Sequence, residues 1–170
     1  MKEWIKDILV AILIAVIIMQ FIKPTIVKEC SMQPTLYENN FIILSKQAYL
    51  FDKPERDDII VFHTNLKTQT GQEKLLIKRI IGLPGDTISI ADGKVTINGK
   101  VLDEPYTKEP YTSGYVDNLV IPDDSLFVMG DNRQNSADSR DPKVGLVKID
   151  DILGKAVLRL YPFGKFGLLQ

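Results

Sequence analysis

A run of apolar residues near the N-terminus constrains the fold of this chain more than any other feature. Residues 8–22 read ILVAILIAVIIMQFI, carry no charge and include one polar side chain, Gln20. As a helix the run is about 22 Å long, shorter than the roughly 30 Å hydrocarbon core of a bilayer. Trp4 lengthens it at one end, and Lys6 and Lys23 can place their ammonium groups at the two membrane surfaces.

Three interpretations of this run compete, and a permanent membrane anchor is the best of them. A cleaved signal sequence fits the length, but residues 20–24, QFIKP, lack the small residues of a cleavage site. A buried helix of a soluble domain usually has a polar face, and this run has none. Two lysines precede the run and two follow it, at positions 2, 6, 23 and 28, so positive-inside counting leaves the orientation open.

After Pro24, which is expected to end the helix, the pattern changes to that of short strands. The predicted strands are rich in β-branched and apolar residues, and they cover 41–44, 58–63, 75–82, 87–90, 94–97, 125–130 and 156–161. Turn-forming pairs at 84–85, 92–93 and 98–99 separate several of them. A polar segment, 100–118, is expected to be a loop or an exposed hairpin extension.

The predicted fold class is therefore mainly β, with a single N-terminal transmembrane helix followed by one antiparallel β domain. We expect the anchor to occupy residues 1–24 and the β-rich domain residues 25–170.

Composition excludes several partners and sites. The chain has 21 Lys and Arg residues against 22 Asp and Glu residues, with no basic block, so nucleic acid is not an expected partner. Cys30 is the only cysteine, so no internal disulfide can form. His63 is the only histidine, so a metal site with several histidine ligands is excluded.

Two cations interrupt the most apolar of the predicted strands. In residues 75–81, LLIKRII, strand alternation places Lys78 and Arg79 on opposite faces. An edge strand with one solvated face can place one of these two charges in water, but the other charge then points to the buried face. The alternative is that one cation is buried, and burial of a lysine lowers its pKa, as a general base requires.

A long polar block, GDNRQNSADSRD at residues 130–141, follows a predicted strand. A solvated loop is the ordinary interpretation of such a composition. A calcium loop fails, because Arg133 stands where a ligand is needed and no glycine follows Asn135. A third interpretation is a scaffold in which arginine and aspartate pair to hold a serine or an amide in place.

Ser31, a few residues after the apolar run, is a candidate nucleophile, with His63 and Lys78 as conceivable partners and Cys30 as a rival nucleophile. His63 lies in a predicted strand, and Ser31 has no nucleophile-elbow signature around it. Cys30 as the nucleophile would lack a partner in the same way, and in an extended stretch it points away from Ser31. A pair of Ser31 with a neutral Lys78 remains, and serine–lysine pairs are a known variant of the catalytic triad.

Four stretches together resemble the bacterial type I signal peptidases, and the compact length and single anchor resemble the Gram-positive branch. The stretches are CSMQPTL (30–36), RDDIIVF (56–62), KRIIGLPGD (78–86) and GDNRQNSADSR (130–140). They follow the order and approximate spacing of that family, and the N-terminal anchor matches as well.

The resemblance implies a role for each of several residues. Ser31 is expected to be the nucleophile, Lys78 the general base, and Ser136 a hydrogen-bonding group that orients the lysine. The backbone N–H of Ser31 is expected to help hold the oxyanion. Structural ion pairs around the site are expected from Asp131, Asp138, Arg79 and Arg140. Shallow pockets for the small residues before the cleaved bond are expected to be lined by Met32, Leu36 and Ile77.

The resemblance also implies an activity and a location. It indicates a membrane-anchored serine endopeptidase that removes N-terminal signal peptides from exported preproteins after small residues of the Ala-x-Ala type, without metal or cofactor. It implies a single-pass protein of the cell membrane, with the N-terminus cytoplasmic and the catalytic domain on the extracytoplasmic side. Its expected partners are exported preproteins and the lipid bilayer.

Two positions depart from the family pattern. Glu29 stands where the family usually has glycine or serine, two residues before the nucleophile, and a carboxylate near a developing oxyanion is unfavourable. Asp57 replaces the usual glycine of a turn.

Two rival functions follow from these observations. One is a catalytically weak or silent anchored interaction protein, in which Glu29 has spoiled the site. The other is a self-cleaving repressor of the related Ser/Lys fold, which is disfavoured because a membrane anchor stands where a DNA-binding domain is expected.

Overall fold

The computed structural model describes residues 2–169 of the chain. One helix, α1 (Lys2–Phe21), precedes twelve strands, β1 to β12. The strands are β1 (Ile22–Ile26), β2 (Phe41–Ser45), β3 (Ile59–Lys67), β4 (Glu73–Gly82), β5 (Thr87–Ala91), β6 (Lys94–Ile97), β7 (Lys100–Val101), β8 (Val116–Val120), β9 (Ser125–Met129), β10 (Val147–Lys148), β11 (Ile152–Tyr161) and β12 (Gly167–Leu168). Two short 3₁₀ helices span Ile149–Asp151 and Phe163–Lys165. Met1 and Gln170, the outer ends of the two predicted domains, lie outside the described residues.

Helix α1 has the length and composition of a membrane span. Its 20 residues correspond to about 30 Å at 1.5 Å per residue, the thickness of a bilayer core. From Trp4 to Phe21 the mean hydropathy is 2.2, and none of these residues is buried against the rest of the protein. The apolar surface of α1 is therefore available to lipid.

The helix ends earlier than the sequence predicts. Pro24 was expected to end it, but α1 stops at Phe21 and Pro24 lies inside β1, opposite Ile43 of β2. The residue before a proline disfavours helix, and an edge strand tolerates the missing N–H of proline. The N–H of Lys46 also donates to the carbonyl of Phe21 at 2.8 Å. The anchor therefore continues into the sheet without a linker.

The main sheet is antiparallel throughout, in the order β1-β2-β11-β3-β4-β9-β10, with β12 added beside β11. Strand β3 lies near its centre and is buried on both faces. Ile59 and Val61 pack into one core cluster, whereas Ile60 and Phe62 pack into another on the opposite face. This alternation follows from the pleat of a strand.

A second, smaller antiparallel sheet has the order β7-β6-β5-β8. Its inward residues form a third core cluster, which includes Ile88, Ile90, Val95 and Ile97. The turn pairs at 92–93 and 98–99 both have positive φ at each residue, between 50° and 78°. Such values match the tight hairpin turns that Asp-Gly and Asn-Gly favour.

The predicted fold class is confirmed, and every predicted strand is present with ends shifted by a few residues. The strands that the sequence did not predict are β1, β7, β8, β10 and β12. They are very short or carry polar and proline residues, so their apolar pattern is weak. The prediction for 100–118 holds at its first end, where the exposed β7 extends a hairpin with β6. It is wrong at its second end, where β8 pairs with β5 of the same sheet.

Gly154 provides a test of the central packing. A Cβ at this position would lie 2.6 Å from the backbone oxygen of Ser45, inside the contact between β11 and β2. We expect Gly154→Ala to lower the free energy of unfolding by roughly 1–3 kcal/mol, because overpacking forces backbone shifts. Chemical denaturation in detergent measures the change. The control is Gly164→Ala, whose Cβ would meet no heavy atom within 4 Å. Equal stability of the two variants would contradict the close packing of β11 against β2 at Gly154.

Candidate active site

Ser31 and Lys78 are brought together by the main sheet. Lys78 lies on β4, and Ser31 lies in the turn that follows the extended segment after β1. The Nζ of Lys78 is 2.7 Å from the Oγ of Ser31 and 2.9 Å from the carbonyl oxygen of Ile77. Ser31 is 4% exposed and Lys78 is 1% exposed. The two groups therefore form a short, buried hydrogen bond.

Lys78 and Arg79 of β4 are both buried, although the sequence suggested burial of one. Arg79 is 1% exposed, and its Nε and Nη2 donate to the two carboxylate oxygens of Asp131 at 2.9 and 2.8 Å. Its guanidinium also lies 4.1 Å from the centre of the Tyr106 ring. Lys78, in contrast, takes part in none of the ion pairs found between residues 2 and 169.

The surroundings of Lys78 favour its neutral form. Burial lowers the pKa of Lys78 from its ordinary value to about 8, while the negative charges of Asp138 and Glu29 oppose this and the charge of Lys74 assists it. A neutral lysine has a lone pair that can accept a proton. Because this lone pair is within hydrogen-bond distance of a hydroxyl, the pair can act as nucleophile and general base.

The loop at 130–141 holds the turn that carries Ser31. The backbone N–H of Asn132 donates to the carbonyl of Ser31 at 2.9 Å, and its side-chain amide donates to the carbonyl of Cys30 at 3.3 Å. Gly130 must be glycine here, because a Cβ would lie 2.5 Å from the Ser31 carbonyl oxygen. The loop and the candidate nucleophile are therefore fixed to each other through backbone contacts.

A second ion pair stiffens the same loop. Arg140 donates from Nε and Nη2 to the carboxylate oxygens of the fully buried Asp138, both at 2.8 Å. Burial alone raises the pKa of Asp138, but the hydrogen bonds and charge of Arg140 outweigh it and hold that pKa below its ordinary value. Asp138 also accepts the N–H of Gly130 at 3.0 Å. The loop is thus a scaffold of paired arginines and aspartates, and not a solvated loop.

Ser136 does not make the hydrogen bond to Lys78 that the sequence suggested. Its Oγ is buried and has no hydrogen-bond partner of acceptable geometry among residues 2–169. The hydroxyl instead packs against the Cα of Gly130, on the side that also faces the Ser31 carbonyl. Lys78 directs its Nζ to Ser31 and Ile77.

An open groove of about 380 Å³ lies between two segments, one that precedes Ser31 in the chain and one that precedes Lys78. One wall is residues 25–29, which lead to Ser31, and the other wall is residues 72–77, which lead to Lys78. Val61 also lines it. The lining therefore reaches Glu29, two residues before Ser31, and Ile77, one residue before Lys78.

Of the three residues expected to line substrate pockets, Ile77 alone lines this groove. Met32 and Leu36 are fully buried in the core cluster that also contains Val27 and Val61. The reason is local: the chain turns after Cys30, and the N–H of Leu36 donates to the carbonyl of Met32 at 2.8 Å. This turn directs both side chains inward.

Glu29 points across the groove, and not toward Ser31. Its Oε1 lies 2.5 Å from the Nζ of Lys74 on the opposite wall. Cys30 and His63, the two residues rejected as members of a catalytic pair, have contacts elsewhere. The Sγ of Cys30 is 3.3 Å from the side-chain amide of Asn135, and the exposed His63 lies 3.9 Å from Glu73.

Two features of the site bear on its chemistry. The backbone N–H of Ser31 donates to no protein group in the described part of the chain, so it is available to an oxyanion. Within residues 2–169, no group of three or more His, Cys, Asp or Glu side chains is arranged to hold a metal ion. The arrangement as a whole suits acyl transfer by a serine hydroxyl.

One part of the scaffold around the loop at 130–141 was not predicted from the sequence. Arg133, which served only to argue against a calcium loop, is fully buried and ion-paired with Glu104. It also donates to the carbonyl of Gly130 at 3.0 Å and to the hydroxyl of Thr112 at 2.7 Å. The density of charge in residues 130–141 indicated such pairing, but Glu104 lies outside that block and had no local signal.

Several known proteins that this chain resembles are signal peptidases. Residues 1–161 match the family described as "Signal peptidase, peptidase S26". Signal peptidase I of Leptolyngbya laminosa is 40% identical over 173 residues, which cover 99% of this chain and 84% of that protein. Signal peptidase I S of Bacillus subtilis is 37% identical over 175 residues, covering 96% and 90%. The crystal structure of a signal peptidase I from Enterococcus faecalis is 34% identical, covers 61% of this chain and 97% of that chain, and has a TM-score of 0.48.

The buried ion pair of Arg79 and Asp131 should contribute much more to stability than an exposed one. We expect Asp131→Ala to cost about 3–5 kcal/mol in the free energy of unfolding, because it leaves a buried cation without its carboxylate. The matched control is Asp124→Ala, which removes the partner of Lys148 from a pair whose side chains are 64% and 66% exposed. Denaturant titration compares the two. A near-native midpoint for Asp131→Ala would contradict the structural role of the pair.

Proposed function

The chain belongs to the signal peptidase family, peptidase S26, and from that premise we propose that Ser31 is its nucleophile and Lys78 its general base. The protein is a serine endopeptidase that cleaves signal peptides. The alternative of a silent interaction protein is not favoured. Glu29 suggested this alternative, but its carboxylate is paired with the ammonium group of Lys74.

One observation carries the assignment of these roles. The Nζ of Lys78 lies 2.7 Å from the Oγ of Ser31 in a buried site, where the pKa of Lys78 falls to about 8. A general base must be within hydrogen-bond reach of the proton it removes, and its pKa must lie near the working pH. Lys78 meets both conditions.

In the proposed reaction, neutral Lys78 removes the hydroxyl proton of Ser31 as Oγ attacks the scissile carbonyl carbon. The N–H of Ser31 donates to the oxyanion of the tetrahedral intermediate. The Lys78 ammonium then protonates the departing amine, which leaves an ester on Ser31. Lys78 next removes a proton from water as the water oxygen attacks the ester. The Lys78 ammonium then returns this proton to the Oγ of Ser31 as the acyl product leaves, which restores the hydroxyl and the neutral base. The carbonyl of Ile77 holds the amine in position throughout.

The paired residues of the 130–141 loop are proposed as positioning residues. Arg79 with Asp131, and Arg140 with Asp138, hold the backbone that contacts the Ser31 turn. Ser136 is proposed to help orient Lys78. This role is indirect: the buried Ser136 hydroxyl helps to hold the pKa of Asp138 below its ordinary value, and the negative charge of Asp138 acts on Lys78.

The groove is the proposed site for substrate residues before the cleaved bond. It runs from Ser31 back toward residues 25–26, which directly follow the anchor. The apolar part of a signal peptide lies in the bilayer, so an exported preprotein that enters the groove from the membrane places its acyl side there. Ile77 lines the groove directly, and Met32 and Leu36 shape it by packing with Val27 and Val61.

The apolar helix α1 fits a membrane anchor. We propose a single-pass protein of the cell membrane, with the anchor in residues 1–24, its N-terminus cytoplasmic, and the catalytic domain in residues 25–170 on the extracytoplasmic side, where exported preproteins emerge. The lipid bilayer is then a second partner. Because enzyme and substrate share one membrane, each meets the other at a raised effective concentration.

Removal of either catalytic residue tests the assignment. We expect Ser31→Ala and Lys78→Met each to reduce the cleavage rate of a preprotein with an Ala-x-Ala site by at least about a thousandfold. The control, Cys30→Ala, should cleave at a rate close to that of the unaltered protein. Gel analysis of preprotein processing measures the rates. Full activity of either catalytic variant would contradict the assignment.

The pKa of Lys78 predicts how activity depends on pH. The neutral lysine is the active form, so kcat/KM should rise with pH, reach half its maximum at about pH 8, and level off above. Below that midpoint it should fall about tenfold for each pH unit. Lys78→Arg should be inactive at every pH, since guanidinium stays protonated. A flat profile from pH 6 to 10 would contradict a lysine base.

A further inference from the structure

One ion pair beside the catalytic residues has no role in the mechanism. Glu29 and Lys74 contact each other at 2.5 Å, and their side chains are 43% and 33% exposed. Glu29 lies two residues before Ser31, where the resembling family usually has glycine or serine. Neither of those residues can reach the opposite wall of the groove.

The pair crosses the groove from wall to wall. Glu29 belongs to the wall of residues 25–29 and Lys74 to the wall of residues 72–77, and Val61 lies between them as a buried lining residue. Since Glu29 and Lys74 are partly exposed and Val61 is not, the pair lies on the solvent side of the groove. A peptide lying in the groove would therefore be covered by the pair.

The position of the pair relates it to one part of the substrate. An extended chain advances about 3.3 Å per residue, so Glu29 stands about 7 Å before Ser31. A substrate whose acyl side runs along this wall, with its scissile carbonyl at Ser31, places the third residue before the cleaved bond beside Glu29. The substrate direction follows from the groove leading toward the anchor.

We propose that Glu29 and Lys74 form a clasp that closes over the bound preprotein and selects a small side chain at the third residue before the cleaved bond. This inference rests on the proposed function. The clasp opens to admit the peptide, which costs little because an exposed ion pair is weak. When closed, it limits the space above that residue, so a long side chain there prevents closure.

The clasp also affects the base electrostatically, which gives an independent measurement. Burial dominates the lowered pKa of Lys78, and of the charges that act on it, Asp138, Asp131 and Glu29 raise that pKa while Lys74 lowers it. Glu29→Gln should therefore move the midpoint of the pH profile to lower pH, and Lys74→Gln should move it to higher pH. The two aspartates are unchanged in both variants.

The test uses the full-length protein in detergent at pH 9.5, above the pKa of Lys78. Two preproteins are compared that differ only in having Ala or Leu at the third residue before the cleaved bond. The unaltered protein should prefer Ala. Glu29→Gln and Lys74→Gln should each reduce the Ala-to-Leu ratio of kcat/KM by about three- to fivefold, the range that an exposed ion pair supplies. The charge-reversed double variant, Glu29→Lys with Lys74→Glu, should restore the ratio.

Controls separate the clasp from general effects and from the proposed function. Lys148→Gln breaks an exposed ion pair far along the chain and should leave the ratio unchanged. The proposed function stands if the unaltered protein cleaves the preprotein and Ser31→Ala does not. In that case the clasp is refuted if both clasp variants keep the native Ala-to-Leu ratio and the native pH midpoint. If the unaltered protein cleaves no faster than Ser31→Ala, the proposed function itself fails. If the charge-reversed double variant does not restore the Ala-to-Leu ratio, the proposed pairing of residues 29 and 74 in the clasp is overturned.

Discussion

The burial of an unpaired Lys78 amine beside Ser31 is the constraint on which the rest of the site depends. Lys78 is 1% exposed, and its Nζ contacts one hydroxyl and one carbonyl oxygen. Burial of a charged amine without a carboxylate is costly, so the neutral form is favoured. The adjacent Arg79 is buried equally but keeps its charge, because Asp131 is paired with it. One strand thus presents a lysine with a lowered pKa on one face and a fixed cation on the other.

The surrounding scaffold holds this arrangement in place from two sides. The loop at 130–141 is fastened by buried arginine–aspartate pairs and contacts the Ser31 turn through Asn132. From the other side, α1 continues directly into β1, which pairs with β2 in the main sheet. Ser31, the proposed nucleophile, therefore follows α1 closely in the chain, and the groove lined by residues 25–29 lies between the two. This placement suits a substrate whose own apolar segment lies in the bilayer.

Apolar alternation in the sequence predicted the features that depend on neighbouring residues, namely the strands and the faces of their side chains. The strands with strong apolar alternation are present, and the period of two placed Lys78 and Arg79 on opposite faces. Features set by tertiary contacts were not predictable in this way. Met32 and Leu36 turn into the core, Pro24 joins an edge strand, and the Ser136 hydroxyl packs against Gly130. Glu29 could be recognised as unusual from the sequence, but its partner Lys74 depends on how two distant segments face each other.

The most direct measurement of the central claim is the pKa of Lys78 itself. NMR titration of the full-length protein with ¹³C-labelled lysine, with Lys78→Arg to assign the signal, follows its side chain. The account predicts one lysine that titrates at about pH 8, well below the ordinary value for lysine. Titration of Lys78 near the ordinary value of about 10.4 would contradict it, because only about one amine in two thousand would then be neutral at pH 7, against roughly one in ten for a pKa of about 8.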